Sequence, residues 1–595
     1  MPNVKVTESS NRPCDQCRQR KSRCVREVGT TKCVLCNFQN RDCTFLHGPR
    51  PRKRKNSQPS PTLRNVESES LSPSSSMTSP ARSMQETTAP SLLDGSLGLE
   101  LHLHSEYIGP TSYHEPSLLD LRPSALHPLG KHECRPRRVD ESTAFITYPD
   151  EDSASEIQRM SDLDKIEATI QPLGSILVKL YFHIVHPTFP ILHKEVFLEK
   201  YARSYHEFSP PLLAGVYLLA LDWQLFDRAL VTASRIPDAA TLESLAMRAM
   251  EDDLKRPKLS TLQAGLLLLQ RVRRTHNTLL AQLVALGQTL GIHVDCSDWA
   301  IPEWEKGLRR RLAWALYMQD KWGMLVHGRP SLIPDWVSSN SESICNHDWD
   351  VRPCTLEDFP EAVVNEDDRS HGSVDAETGR ASFLKSIELA KIFSQIHSTL
   401  CSVGVTKKGG KLDRIGAAGA MALATPLAQR LQQWYTVLPD GLKLETTAHV
   451  RRLSATGALH ISYMAAELTI HRALLRALKP DTPPSLRSTI RTAARARLLS
   501  AMSLIEALQP EHTQSFWGFA ASAQMAMIGS FAGLLWATSA EVDEAIEYVN
   551  QLERLRWALQ VRGSAVPCVR EALRLLDEEV GDIAAVKAAT YQDLA

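Results

Sequence analysis

The opening of this 595-residue chain, "MPNVKVTESSNRPC", lacks an apolar h-region, so no secretory signal is expected. Catalytic signatures are also missing. The chain has no G-x-S-x-G elbow and no H-E-x-x-H pair, and "HGRPSLIPD" at 327–335 lacks the Gly-Lys-Thr run of a phosphate loop. Net charge is absent too, with 68 Lys+Arg against 68 Asp+Glu. One stretch, 512–540, carries no formally charged residue and is long enough to span a bilayer. It is rich in Ala, Gly and Ser, contains Gln514 and Gln524, and has no flanking Lys/Arg cluster to set a topology. It therefore reads as a buried helix of a large helical domain, and no membrane partner is expected.

Cysteine is scarce, 12 in 595 residues, yet six of the twelve fall within thirty positions. "CDQCRQRKSRC" (14–24) and "CVLCNFQNRDC" (33–43) repeat the same gaps, giving C-x2-C-x6-C-x8-C-x2-C-x6-C. In a reducing compartment, clustered thiols are metal ligands more often than disulfides. A C-x2-C pair can grip one ion from a single turn, and Zn²⁺ in tetrahedral sulfur is the usual occupant. Two zinc ions need eight coordination positions. The six thiolates of Cys14, Cys17, Cys24, Cys33, Cys36 and Cys43 suffice only if two of them bridge. No position then stays open for water, which points to structural metal rather than a hydrolase.

The zero net charge hides an asymmetry. Residues 1–55 hold 14 basic and 4 acidic residues, a balance of +10, so the rest carries 54 against 64, a balance of −10. Two zincs and six thiolates sum to −2, which Arg18, Arg20, Lys21 and Arg23 more than offset. These four follow Cys17 in a stretch that can form about two helical turns. Such a basic helix suits a major groove, where Arg and Lys meet guanine O6 and N7. Behind it, "PRPRKRK" (49–55) supplies Arg50, Arg52, Lys53, Arg54 and Lys55, read as a nuclear localisation segment that adds phosphate affinity.

Spacing and basic interleave together resemble the DNA-binding module of the fungal zinc binuclear-cluster (Zn(2)-C6) transcription factors. The resemblance implies that Cys14 and Cys33 bridge two zinc ions. It also implies that Lys21 reads a CGG-type triplet in double-stranded DNA, while Arg18, Arg20 and Arg23 serve phosphates or structure. One departure is that "VREVGTTK", between the third and fourth cysteines, lacks the family's proline. Members often dimerise through a following coiled coil, but Pro49, Pro51, Pro59 and Pro61 follow here, and no apolar heptad run appears before 150. The chain is expected to bind as a monomer, or to pair as a homo- or heterodimer through its later domain.

Residues 56–90 are Ser/Pro-rich, with Ser-Pro at Ser60, Ser72 and Ser79, and read as disordered. "SLLD" (91–94) and "SLLDL" (117–121) mix leucine with acid, as docking segments for transcription machinery do, or as loops leaning on the main domain do. From about 157 the texture becomes long 3.6-periodic apolar segments with Pro-containing breaks, so a large all-α domain is expected. Within it His183, His186 and His193 read as packing or capping residues. "LRRRLAWALYMQDKW" is expected to bury Leu308, Leu312 and Leu316 with its arginines solvated or paired. "LYFHIVHPTFPILHKEVFLEKY", "ALGQTLGIHVD" and "GLRRRLAWALYMQDKWGMLVHGRPSLI" resemble the fungal-specific transcription factor domain. That resemblance implies a regulatory role. "CTFLHGPRPRKRK" and "HSEYIGPTSYHEPSLLDL" are similar to stretches of the fungal activators of nitrogen-source use.

The expected layout is a disordered N-terminus (1–12), a zinc module (13–48), a nuclear localisation segment (49–55) and a linker (56–156). A helical regulatory domain (157–370) and a C-terminal helical continuation (371–595) complete it. The expected activity is that of a sequence-specific RNA polymerase II transcription factor, not an enzyme. A co-regulator acting through protein contacts is the alternative.

Overall fold

In the computed structural model the described residues of the head are Cys14, Asp15, Cys17, Cys24, Lys32, Cys33, Cys36, Cys43 and Thr44. From 92 to 581 the chain is described apart from 101, 116–117, 119–134, 151–152, 233–236, 272–275, 334, 338–343, 346–347, 360–375, 445–452 and 564–565. It divides into two compact units, Met1–Thr87 and Thr88–Ala595.

The second unit opens with a three-stranded antiparallel sheet inside the residues read as linker. Its strands are β1 (Leu103–Tyr107), β2 (Arg135–Arg138) and β3 (Ala144–Pro149), in the order β1-β3-β2. Leu103 pairs with Pro149 and Tyr107 with Phe145 on one side of β3, and Arg135 pairs with Thr147 on the other. β3, "AFITYP", has the aromatic and β-branched content of a central strand. β2, "RPRR", holds a proline and is an edge, where a missing N–H is tolerated. Phe145 on β3 packs edge-on against Trp299 at 5.3 Å, and with Leu97, Val139, Cys296 and Ile301 forms a small core of its own. Of "SLLD" (91–94), residues 92–94 lie in a turn leaning on the domain: the Trp304 indole N–H donates to Leu92 O at 3.1 Å, and Leu93 packs on the main core. Of "SLLDL" only Leu118 is described, and it is exposed.

Helices follow: α1 (Ser153–Ile170), α2 (Gly174–Ile184), α3 (Lys194–Arg203), α4 (Pro210–Leu221), α5 (Ala239–Asp253), α6 (Leu259–Leu268), α7 (His276–Thr289) and α8 (Glu303–His327). Then come α9 (Ala376–Leu400), α10 (Lys411–Thr436), α11 (Thr456–Arg476), α12 (Pro484–Ala507), α13 (Ala521–Ala537), α14 (Val542–Gly563) and α15 (Pro567–Val580). α4, "PPLLAGVYLLAL", is buried on every side and starts on proline, whose missing N–H is harmless there. α10 changes direction at Gly416, whose φ of 63° breaks the helical run.

Two hydrophobic cores share the unit. The first gathers α1 to α7 around Leu308, Leu312 and Leu316 of α8, all fully buried. The second gathers α10 to α15 around Trp322 of α8 and Phe393 of α9, whose rings stack at 4.5 Å. α8, roughly 37 Å long at 1.5 Å per residue, belongs to both cores, as does α9. The uncharged run at 512–540 is interrupted: after Thr513 a buried non-helical segment with Phe516, Trp517 and Phe519 precedes the 17-residue α13. Among the described residues no helix is long and apolar enough to cross a membrane.

The three arginines of "LRRRL" are not solvated. Arg309, Arg310 and Arg311 are buried, at 3%, 6% and 0% exposure, which makes α8 a charged spine inside the first core. Arg309 pairs with Glu305 one turn back at 3.0 Å and donates to Leu290 O. Arg310 meets Asp358 at 2.7 Å, and Arg311 donates to Pro190 O at 2.8 Å. Farther along, buried Lys321 lies between Asp320 and Asp335, each at 3.2 Å, and donates to Ser331 Oγ at 2.8 Å. Asp320 in turn accepts from the Leu332 and Ile333 N–H groups. Within "HGRPSLIPD", Ser331, Leu332, Ile333 and Asp335 are therefore the clasp around a buried lysine.

Candidate metal centre

The head brings all six predicted cysteines together. The sulfur atoms of Cys14, Cys17, Cys24 and Cys33 lie within 4.8 Å of one another, and so do those of Cys14, Cys33, Cys36 and Cys43. The two sets overlap at Cys14 and Cys33. The Sγ–Sγ separations are 3.6 Å for Cys14–Cys36, 3.7 Å for Cys17–Cys33 and 3.9 Å for Cys14–Cys33. Disulfides, at about 2.05 Å, are excluded, and none of the six is disulfide-bonded. Tetrahedral thiolates at a Zn–S distance of about 2.3 Å have sulfur–sulfur edges of about 3.8 Å. The donor set fits thiophilic metal on both chemistry and spacing.

The backbone repeats the pattern with a shift of 19 residues. Cys17 N–H donates to Cys14 Sγ and Cys36 N–H to Cys33 Sγ, both at 3.4 Å. Cys14 N–H donates to Cys24 Sγ at 3.4 Å and Cys33 N–H to Cys43 Sγ at 3.3 Å. Asp15 N–H to Thr44 O, at 2.8 Å, ties one end of the repeat to the other. These N–H groups favour the charged form of sulfur. Burial pushes the Cys33 thiol up, but the Cys36 N–H and the thiols of Cys36, Cys17 and Cys24 outweigh it and bring it down to about 6. Cys14 is lowered in the same way, with Cys17 as its backbone donor. Burial and the neighbouring sulfurs raise Cys24, Cys36 and Cys43. The shared pair thus ionises ahead of Cys24, Cys36 and Cys43, and a cation is what would let those three follow.

Arg18, Arg20, Lys21 and Arg23, and Arg50, Arg52, Lys53, Arg54 and Lys55, lie outside the described residues.

Elsewhere, among the described residues, no other group of His, Cys, Asp or Glu converges as a metal set. His193 caps α3, accepting the Val196 N–H at 3.3 Å, and packs edge-on to Trp304; His186 packs edge-on to Phe182. Sequence reasoning expects the arginines of α8 solvated or paired; Arg309 and Arg310 are paired, but it misses their burial and the cavity described below. The charges carried a signal in the i, i+4 pair Glu305–Arg309 inside an apolar-periodic helix.

Residues 178–436 match the fungal specific transcription factor domain. The chain is 33% identical over 458 residues to the transcriptional activator protein DAL81 of Saccharomyces cerevisiae, covering 71% of this chain and 46% of that protein. It is 25% identical over 545 residues to the transcriptional regulatory protein C25B8.11 of Schizosaccharomyces pombe, covering 81% and 78%. It is 24% identical over 354 residues to the transcriptional activator protein acu-15 of Neurospora crassa, covering 57% and 35%. The chain thus spans less than half of the two named activators. No solved structure matches it. A six-cysteine head able to hold metal and a helical body whose α2 through α10 match this domain make the chain similar to the fungal transcription regulators.

Proposed function

We propose that this chain is a sequence-specific DNA-binding RNA polymerase II transcription factor, an activator whose head holds two zinc ions. Cys14 and Cys33 bridge the ions in this reading, Cys17 and Cys24 complete one site, and Cys36 and Cys43 complete the other. The carrying observation is the pair of overlapping sulfur sets that share Cys14 and Cys33. The zinc shapes the head; this chain's basic residues make the contacts. Lys21 reads a CGG-type triplet, Arg18, Arg20 and Arg23 engage phosphates, and Arg50, Arg52, Lys53, Arg54 and Lys55 direct the chain to the nucleus. The helical domain regulates, and transcription machinery or other factors are its partners. The likeness to activators of nitrogen-source use makes nitrogen-catabolic genes the first targets to test.

The discriminating experiment is titration of the zinc-loaded full chain onto CGG-containing and scrambled duplexes. A preference of at least about tenfold, lost in Lys21→Ala, is expected from one lost base contact. Equal binding to both duplexes would leave the second reading, a co-regulator acting through protein contacts. The proline-free loop at 25–32 and the missing heptad run favour that reading. Full target-gene activation by Cys14→Ala would establish it.

A further inference from the structure

A cavity of about 130 Å³ lies where the two hydrophobic cores meet. Phe189, Phe383 and Phe516 line it from the first core, and Trp322, Leu459 and Phe519 from the second. No lysine, arginine, aspartate or glutamate is among the described residues lining it. A charged guest would find no counter-ion among these residues, which favours a neutral occupant.

The polar groups of the wall are amides and hydroxyls. Gln270, Gln319 and Gln524 are buried to 8%, 3% and 2% exposure. Gln270 is fully engaged: its Oε1 accepts the Phe519 N–H at 3.2 Å, and its Nε2 donates to Gln319 Oε1 at 3.1 Å. Gln524 is not. Its Oε1 accepts from Ser462 Oγ at 3.1 Å, while its Nε2 is buried without a hydrogen-bond partner. An unmet buried amide N–H costs more than an ordinary hydrogen bond returns, so an acceptor supplied by a guest has a place. A pocket of about 500 Å³ adjoins the cavity, with Gln270 and Gly518 common to both walls, and Asp222, Arg271, Glu571 and Arg574 give it a charged mouth. That pocket offers a way in.

From these features we infer that the cavity is an effector site for a small uncharged carbonyl compound, an amide or ketone of about six to eight non-hydrogen atoms. The size follows from benzene filling an apolar cavity of about 150 Å³. The carbonyl oxygen accepts from Gln524 Nε2, and the apolar body lies among Phe189, Trp322 and Phe516. Because the walls belong to both cores, an occupant braces α8, α9, α11 and α13 against one another. The inference stands apart from the DNA-binding reading and survives its failure.

The test is calorimetric titration of the full chain with isobutyramide, isobutyrate and isobutylammonium, three probes of nearly one shape and different charge. Isobutyramide should saturate with a Kd on the order of micromolar to millimolar, as so small a ligand allows, and the charged probes should bind at least about tenfold more weakly. Gln524→Leu should weaken isobutyramide about tenfold. Ala458→Leu, which fills the cavity, should abolish binding, and Ser386→Leu fills it from α9 if the first filler does not fold. No saturable heat up to about 50 mM would leave a cavity holding water only and overturn the inference. So would equal binding of all three probes, or an undiminished affinity in Gln524→Leu.

Discussion

Asp358 gathers two arginines and a loop around one buried carboxylate. It accepts from Arg310 at 2.7 Å, from Arg352 at 3.0 Å and from the Thr355 N–H at 2.8 Å, at 2% exposure. Replacing both members of such a pair with apolar groups can be neutral, but removing one leaves the other charged and dry. Asp358→Ala should therefore destabilise the helical unit by about 3–5 kcal/mol, read as a lower urea midpoint by tryptophan fluorescence. Asp253, at the end of α5, shows the opposite strain. Burial pushes its carboxyl up to about 6 despite Ser209, Arg256 and Lys258, which pull it down. A carboxyl raised in the folded state contributes stability below its unfolded value, near 3.9, and that contribution is lost as pH rises through about 6. Asp253→Asn should thus match or trail the parent at pH 4 and gain roughly 1–3 kcal/mol on it by pH 7, measured as Tm across that window.

At the scale of elements, the 3.6-residue period of the body exposed its helices, and their burial follows it. α8 reads as burying Leu308, Leu312 and Leu316 and does so; the uncharged run near 512–540 reads as buried helix and is one, interrupted by an aromatic segment. The sheet was not legible for a physical reason. β2 is four residues long, three of them arginine and one proline, and only its edge position next to β3 makes that acceptable. Arg137, for instance, donates to Ser96 O and Gly95 O, contacts no periodicity announces. What fastens the sheet is a close approach at Gly291. Its φ is +66°, and a Cβ there would stand 3.0 Å from Phe145 Cζ and 3.2 Å from Trp299 Cη2. Gly291→Ala should cost about 1–3 kcal/mol, part backbone strain and part displaced rings. Hydrogen exchange should quicken in residues 144–149 while α11 and α13 stay protected.

At the scale of the whole molecule, each unit holds together by different means. The large unit needs no metal, since two apolar cores and the charged spine of α8 supply its stability. The head shows no such resource among its described residues, where the buried positions are the cysteines themselves. Metal should therefore be folding free energy for the head alone. The doubled spacing made the cysteine set legible in the sequence, whereas the buried roles of Arg309, Arg310 and Arg311 depend on partners such as Asp358 that lie far along the chain. The overlap of the sulfur sets gives a stoichiometric test. Cys24 and Cys43 each belong to one set, while Cys14 belongs to both. Cys24→Ala should lower bound zinc from two per chain toward one, and Cys14→Ala should lower it toward none, by metal analysis of the purified full chain. Chelation should leave the helical signal of the body intact and abolish head-dependent DNA binding. Equal zinc in Cys14→Ala and Cys24→Ala would show that the sulfur of Cys14 is not shared.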